Sequence, residues 1–291
     1  MRGHPRSMKV LRPVDADEAV RLFSQHPLAL PLAGGTDLMV SWNMGLLNDK
    51  TVLDLSEIRG WTGVKKTAAG LSVGSLATHA ELRDHPEVRR SFPLLAQACA
   101  EVGSVQIQNR GTIGGNLANA SPAGDTFPAL AVYEARVRTV SKHGRRVLPI
   151  LDLFAGVKKT VLAQNELIEA VDLPFLPSRP DRQVFRKVGT RAAQAISKAA
   201  AAGLLWLGKG GVVKELRFSL GSVAPTVRRA KTAEAFLAGR KPTRRAVEEA
   251  AELLAGDISP IDDFRSTAEY RLAVCRNILR SFLGAPPSGL P

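Results

Sequence analysis

Between residues 106 and 125 the chain runs Gln-Ile-Gln-Asn-Arg-Gly-Thr-Ile-Gly-Gly-Asn-Leu-Ala-Asn-Ala-Ser-Pro-Ala-Gly-Asp, a polar, glycine-rich passage with little periodicity. A structureless stretch of that length inside a compact domain is usually either functional or disordered. Strong elements flank this one and its residues are small rather than low-complexity, so it reads as a ligand loop. A second glycine turn, Ala33-Gly34-Gly35-Thr36-Asp37-Leu38, directly follows the short apolar run 28–33. Whatever the chain folds into must present two such turns.

The flanking elements alternate in type. Residues 15–26 read as a helix with Ala19, Leu22 and Phe23 on one face. Residues 28–33, 51–55 and 71–73 read as short strands. Thr78 and Glu81 stand three apart before an apolar run, the spacing of a capping box in which hydroxyl and carboxylate satisfy free amides reciprocally. Residues 94–102 form a second apolar helix, and 136–140 and 166–173 two further strands. Pro174, Pro177 and Pro180 mark residues 174–181 as a linker. Beyond it, 199–207 and 212–220 pair as a hairpin across Gly208-Lys209-Gly210-Gly211, with Leu216, Phe218 and Leu220 on one face. Helices follow near 232–237, 243–255 and 266–283, the last with a capping box of Ser266 and Glu269 and a stop at Gly284.

Composition removes several classes. With 45% hydrophobic residues among 291, the chain is globular rather than disordered. No apolar run approaches the ~20 residues that cross a bilayer, and residues 1–7 lack a signal-peptide core. Two cysteines, Cys99 and Cys275, cannot ligate an iron–sulfur cluster alone. The expectation is a soluble, cytoplasmic protein with no cluster of its own. Net charge is +13; residues 1–177 carry 20 basic and 17 acidic side chains, and 178–291 carry 20 and 10. That excess attracts nucleic acid or acidic partners, but the basic residues are dispersed and poor in aromatic neighbours. A nucleic-acid or scaffold role also leaves both glycine turns unexplained, so a cationic surface is the preferred reading.

Adjacent glycines leave backbone amides unshielded, so consecutive N–H groups can converge on an anion. A lone Gly-Gly pair would read as a tight strand-to-helix turn. Two turns together, the second rich in asparagine and ending in a carboxylate, suit a pyrophosphate. No Lys-Ser/Thr ending marks a P-loop, and no GxGxxG opens a helix as in a Rossmann site.

AGGTDL, then QIQNRGTIGGNLANASPAGD, then FRKVGTRAAQAISKA, in this order, resemble the FAD-binding medium subunit of molybdenum hydroxylases, the family of xanthine dehydrogenase and aerobic carbon monoxide dehydrogenase. The likeness covers almost the whole chain, including Ala268-Glu269-Tyr270-Arg271. It implies an α+β architecture: a two-subdomain FAD-binding fold of the p-cresol methylhydroxylase/vanillyl-alcohol oxidase type over 1–177, divided near 56, then a smaller α+β flavoprotein C-terminal domain over 178–291. It implies that Leu32, Ala33, Gly34, Gly35, Thr36, Asp37 and Leu38, with Thr112, Gly115, Asn116 and Asn119, clasp the FAD pyrophosphate. Asp125 matches a ribityl- or ribose-side aspartate, and Leu167 and Ile168 match positions beside the adenine or ring system.

Lys187 matches a basic residue near the flavin's pyrimidine edge, where positive charge stabilises a reduced anion; by itself it reads equally as a surface lysine. Ile196 matches a residue covering the reactive face, where periodicity alone assigns it to the core. Relatives carry an acidic residue at the position of Ala195 and an arginine at that of Gln108, the latter replacement weakening a salt link near the cofactor. His79, His85 and His143 read as surface or cap residues, and both cysteines as buried hydrophobes. Neither turn holds a His or Cys for a covalent flavin link. The implied function is an electron-transfer subunit with non-covalent FAD and no acid–base dyad. Molybdopterin would lie on a large partner chain and two-iron two-sulfur clusters on a small one. The rival is a stand-alone FAD-dependent oxidoreductase of the same fold, for which the C-terminal domain leaves little sequence to build a substrate pocket.

Overall fold

A computed structural model describes residues 8–284, so the expectation about residues 1–7 lies outside it. Three larger sheets are drawn from successive parts of the chain, beside a two-stranded ribbon of Phe154–Gly156 and Lys159–Thr160. The first is parallel, with Thr51–Asp54 between Lys9–Leu11 and Leu30–Leu32. Parallel neighbours need a crossover, and the helix Ala16–Gln25 supplies one; the Asp15 carboxylate caps it by accepting the Glu18 N–H. Ala19 and Phe23 on that helix are buried against Leu53, Trp61 and Leu167.

The second sheet is antiparallel, in the order Val64–Lys66, Gly70–Gly74, Leu167–Pro174, Arg136–Ser141, Gly144–Pro149. Both halves of the Thr78–Glu81 capping box form, opening the helix His79–Asp84. The apolar helix is Pro93–Ala100, with Leu94, Leu95, Ala98 and Cys99 buried. Tyr133 and Phe92 meet edge to face at 5.0 Å in this core.

The third sheet runs Arg182–Val188, Ala199–Leu207, Val213–Gly221, Arg228–Arg229. Its second strand is apolar throughout because it is covered on both faces. Ala202, Leu204 and Trp206 enter the core of the preceding sheet. Ala199, Ala201 and Leu205 pack with Phe218 of the next strand and with Val247, Leu279 and Phe282 of the C-terminal helices. The helices are Lys231–Leu237, Arg244–Leu253 and Ala268–Leu283. No helix among the described residues is long and apolar enough to cross a membrane.

Three expectations are corrected. The 106–125 passage is not a loop: Val105–Gln108 and Ile113–Asn119 are helical, capped by Ser104 and Thr112. Its apolar period is hidden because a glycine replaces a core side chain. A Cβ on Gly114 would lie 2.6 Å from that of Ser75, so the helix rests backbone-close on the strand end. The last helix is capped by Thr267, not Ser266, whose N–H goes to Asp263. Residues 182–188, whose three charges mask a strand period, form the first strand of the third sheet, where Phe185 is the buried apolar residue.

Arg271, almost fully buried, ties this third unit together. It donates to the carbonyls of Lys198 and Ser222 at 2.6 and 2.9 Å and to Asp263 at 2.8 Å. Arg265, with Arg271, holds the Asp263 carboxyl well below the usual carboxylate range. A depressed folded-state value contributes stability that is present above the unfolded value and lost as pH falls. Asp263→Asn is therefore expected to lower stability to urea at pH 7. Its deficit against wild type should narrow steadily below about pH 4.

Candidate functional site

Both glycine turns border one cleft of about 480 Å³. The first turn supplies Ala33, Gly34, Gly35, Thr36, Asp37 and Leu38; the second supplies Thr112, Gly115, Asn116 and Asn119. Leu55, Leu76, Leu167 and Ile168 form an apolar wall, and Val102 and Ile107 also line the cleft. The turns touch directly: a Cβ on Gly34 would lie 1.7 Å from the Arg110 carbonyl oxygen, and Asn119 Nδ2 donates to Asp37 at 3.1 Å.

The two turns differ in what they offer. Among the described residues the amides of Gly34, Gly35, Thr36 and Asp37 donate to no protein acceptor. They remain available to an anion. The amides of Ile113, Gly114 and Gly115 in the second turn are already engaged, which corrects the expectation that adjacent glycines leave them unshielded there. Ile113 N–H goes to Ala77 O, Gly114 N–H to Ser75 O, and Gly115 N–H to Thr112 Oγ1. Its contribution is close backbone approach and polar side chains. Thr112→Val keeps the shape but removes the cap, so a loss of about 1 kcal/mol in urea unfolding is expected.

Of the expected residues, Leu32, Asp125, Lys187 and Ile196 lie outside this cleft. The Leu32 carbonyl accepts the Leu55 N–H. Asp125 and Ile196 line a second hollow of about 350 Å³ with Ser104, Ser121, Gln194 and Ala195. Ile107 borders both spaces, so it stands between them. Lys187 is buried, which excludes the surface reading; it donates to Asp125 at 2.8 Å and to Glu101 O at 2.7 Å. Ser197 Oγ donates to the other Asp125 oxygen. Burial pushes the Asp125 carboxyl above its usual value, against the pull of the ammonium and the hydroxyl. Ile196 is 57% exposed, so the core assignment from periodicity fails.

Other residues carried no sequence signal. Lys158 reaches the mouth of the cleft, bonding Asn119 Oδ1 at 2.6 Å and Asp37 at 3.4 Å. His79 is buried and lines the cleft, not the surface. Burial pushes its imidazole down to about 4. Gln108, also buried, lies outside the cleft; it accepts from Arg83 at 2.6 Å and donates to Ala100 O at 2.9 Å. The Arg83 guanidinium thus donates there to a neutral amide, and its ion pair is with Asp84 instead.

Unused amides at one end and an apolar wall at the other fit a dinucleotide: diphosphate oxygens on the N–H groups, a flat ring on the leucines. Residues 6–176 match the model of the FAD binding domain in molybdopterin dehydrogenase, and residues 184–285 that of the CO dehydrogenase flavoprotein C-terminal domain. The chain is 29% identical to the carbon monoxide dehydrogenase medium chain of Hydrogenophaga pseudoflava over 278 residues, covering 94% of each. It is 28% identical to the glyceraldehyde dehydrogenase medium chain of Sulfolobus acidocaldarius over 274 residues, covering 94% of this chain and 96% of that one. The crystal structure of the cyanide-inactivated Cu,Mo-CO dehydrogenase contains a chain that superposes with a TM-score of 0.90 at 26% identity, covering 97% of both. The chain thus belongs to the family of FAD-binding medium subunits of molybdenum hydroxylases, and is an oxidoreductase subunit.

Proposed function

We propose that this chain holds FAD non-covalently across both hollows and serves as the electron-exit subunit of a molybdenum-containing hydroxylase or dehydrogenase. The observation that carries the reading is the contact of the two glycine turns, with four free amides on the first. Gly34 to Asp37 would bind the diphosphate, with Thr112, Gly115, Asn116 and Asn119 closing from the other side and Lys158 adding charge at the rim. Leu167 and Ile168 would pack the adenine end. Asp125, positioned by Lys187 and Ser197, and the exposed Ile196 would border the isoalloxazine end. Bound there, FAD supplies the exchange between single electrons and electron pairs.

Electrons would arrive from two-iron two-sulfur clusters on a small partner chain, after substrate oxidation at molybdopterin on a large one, and leave to an external acceptor. The 1–177 and 178–291 division, with a break near 56, is proposed to separate FAD binding from the flavoprotein C-terminal domain. In the latter, Lys209, Lys214, Lys241, Arg244 and Arg245 are exposed and form no ion pair among the described residues. They suit an acidic partner surface rather than nucleic acid, in a cytoplasmic assembly. The test is stopped-flow reduction of the flavin in the purified complex. Bleaching after substrate addition is expected only with both partner chains present; bleaching of this chain alone by an organic substrate would favour the stand-alone oxidoreductase.

A further inference from the structure

His79 sits where the two turns meet. Its backbone N–H donates to Gly111 O at 3.0 Å. A Cβ built on Gly111 would lie 3.3 Å from both His79 Cδ2 and Thr36 Oγ1, so imidazole and first turn flank one point. The side chain lines the cleft yet is 2% exposed, and neither ring nitrogen has a protein hydrogen-bond partner among the described residues; Nδ1 is fully enclosed. An orphaned buried polar group needs a partner, and nothing in its role as first residue of a capped helix provides one.

Surrounding charges do not supply it. On its own helix Glu81 accepts from the Thr78 N–H, and Arg83 binds Asp84 and Gln108. The packed helices Pro93–Ala100 and Val105–Gln108 carry no charged residue. On Pro86–Ser91, Glu87 pairs with Lys66 and Arg90, and Arg89 with Asp84. At the turns Asp37 bonds Asn119 and Lys158, and across the cleft Glu166 is held by Arg146. Arg110 and Glu101 form no ion pair among the described residues. Burial alone keeps the empty imidazole neutral.

We propose that His79 is an anion-contacting residue of the cofactor site, and that its imidazole takes up one proton from solvent when the FAD diphosphate enters the cleft. This rests on the reading that the cleft holds the diphosphate. The two negative charges of that group favour the cationic ring in a poorly solvated setting, where opposite charge acts strongly. The sign follows from linkage. The bound state holds the extra proton over a pH range in which the free chain does not, so affinity rises as pH falls through that range and levels off near the free value of about 4.

The test is calorimetric titration of the full chain with FAD in buffers of different ionisation enthalpy between pH 5.5 and 8. Wild type is expected to show a buffer-dependent heat corresponding to uptake of about one proton, with affinity rising by up to about tenfold per pH unit on acidification. His79→Gln should still bind FAD, more weakly, with heats independent of buffer. The wild-type imidazole resonances, followed by NMR with and without FAD, provide the same answer without a variant: His79 should become cationic on binding. FAD binding with buffer-independent heat and an unchanged His79 resonance would overturn the proposal. A wild-type chain that binds no FAD would instead overturn the cofactor reading on which it rests.

Discussion

Gly34→Ala is expected to weaken FAD binding by at least about a hundredfold, roughly 3 kcal/mol. The added methyl would sit 1.7 Å from the Arg110 carbonyl oxygen, 2.5 Å from its carbon and 3.1 Å from Gly111 Cα. Every obstacle is backbone, so no rotamer change relieves the clash. The turns must separate by more than an ångström, and a misplacement of that size is costly for any preorganised site. The Phe92, Leu95 and Tyr133 core lies elsewhere in the domain, so the variant should keep its helical and strand content. Calorimetry with FAD, alongside circular dichroism, checks both parts. Affinity within about threefold of wild type would contradict the geometry.

Lys187→Met is expected to cost about 3–5 kcal/mol near neutral pH, because it leaves the Asp125 carboxylate buried without its cation. Ser197 remains a donor, but one hydroxyl does not replace an ammonium. Asp125 already stands above its usual value through burial, and losing the lysine pushes it further up. A carboxyl raised in the folded state destabilises once pH exceeds its unfolded value, so the deficit should shrink as pH falls towards about 4. Lys187→Met combined with Asp125→Leu should recover most of the stability, since apolar replacements of a buried pair are often tolerated. Urea unfolding of wild type and both variants across pH separates this account from a surface role for the lysine, which predicts losses within about 0.5 kcal/mol.

Most elements with a clear period were legible: the Asp15-capped helix, the Thr78–Glu81 box, the 199–207 and 213–221 hairpin and the Gly284 stop all stand where pattern places them. The strand 182–188 escaped because three of its seven residues are charged and Phe185 is its one buried apolar residue, a pattern of partial burial that propensity does not register. The 113–119 helix escaped for the opposite reason. Its packing residue is a glycine whose missing side chain is the contact, visible only once Ser75 is placed beside it.

The cleft was legible as two turns but not as a geometry. Sequence marked both glycine runs, yet gave no sign that the second turn's amides are spent on Ala77, Ser75 and Thr112. Lys158 and His79 reach the cleft through tertiary packing, from positions 39 residues after Asn119 and 37 before Asn116. Asp125 and Lys187 were singled out separately. That they neutralise each other depends on strand register in a sheet assembled from a distant part of the chain.

The crystal structure of the full chain with FAD bound tests the central claim most directly. The account predicts diphosphate oxygens within hydrogen-bond distance of the Gly34–Asp37 amides, with Thr112 and Asn116 on the opposite side. A diphosphate seated elsewhere, for instance among Lys65, Arg138 and Arg145 on the outer face of the second sheet, with the first glycine turn facing only water, would contradict it.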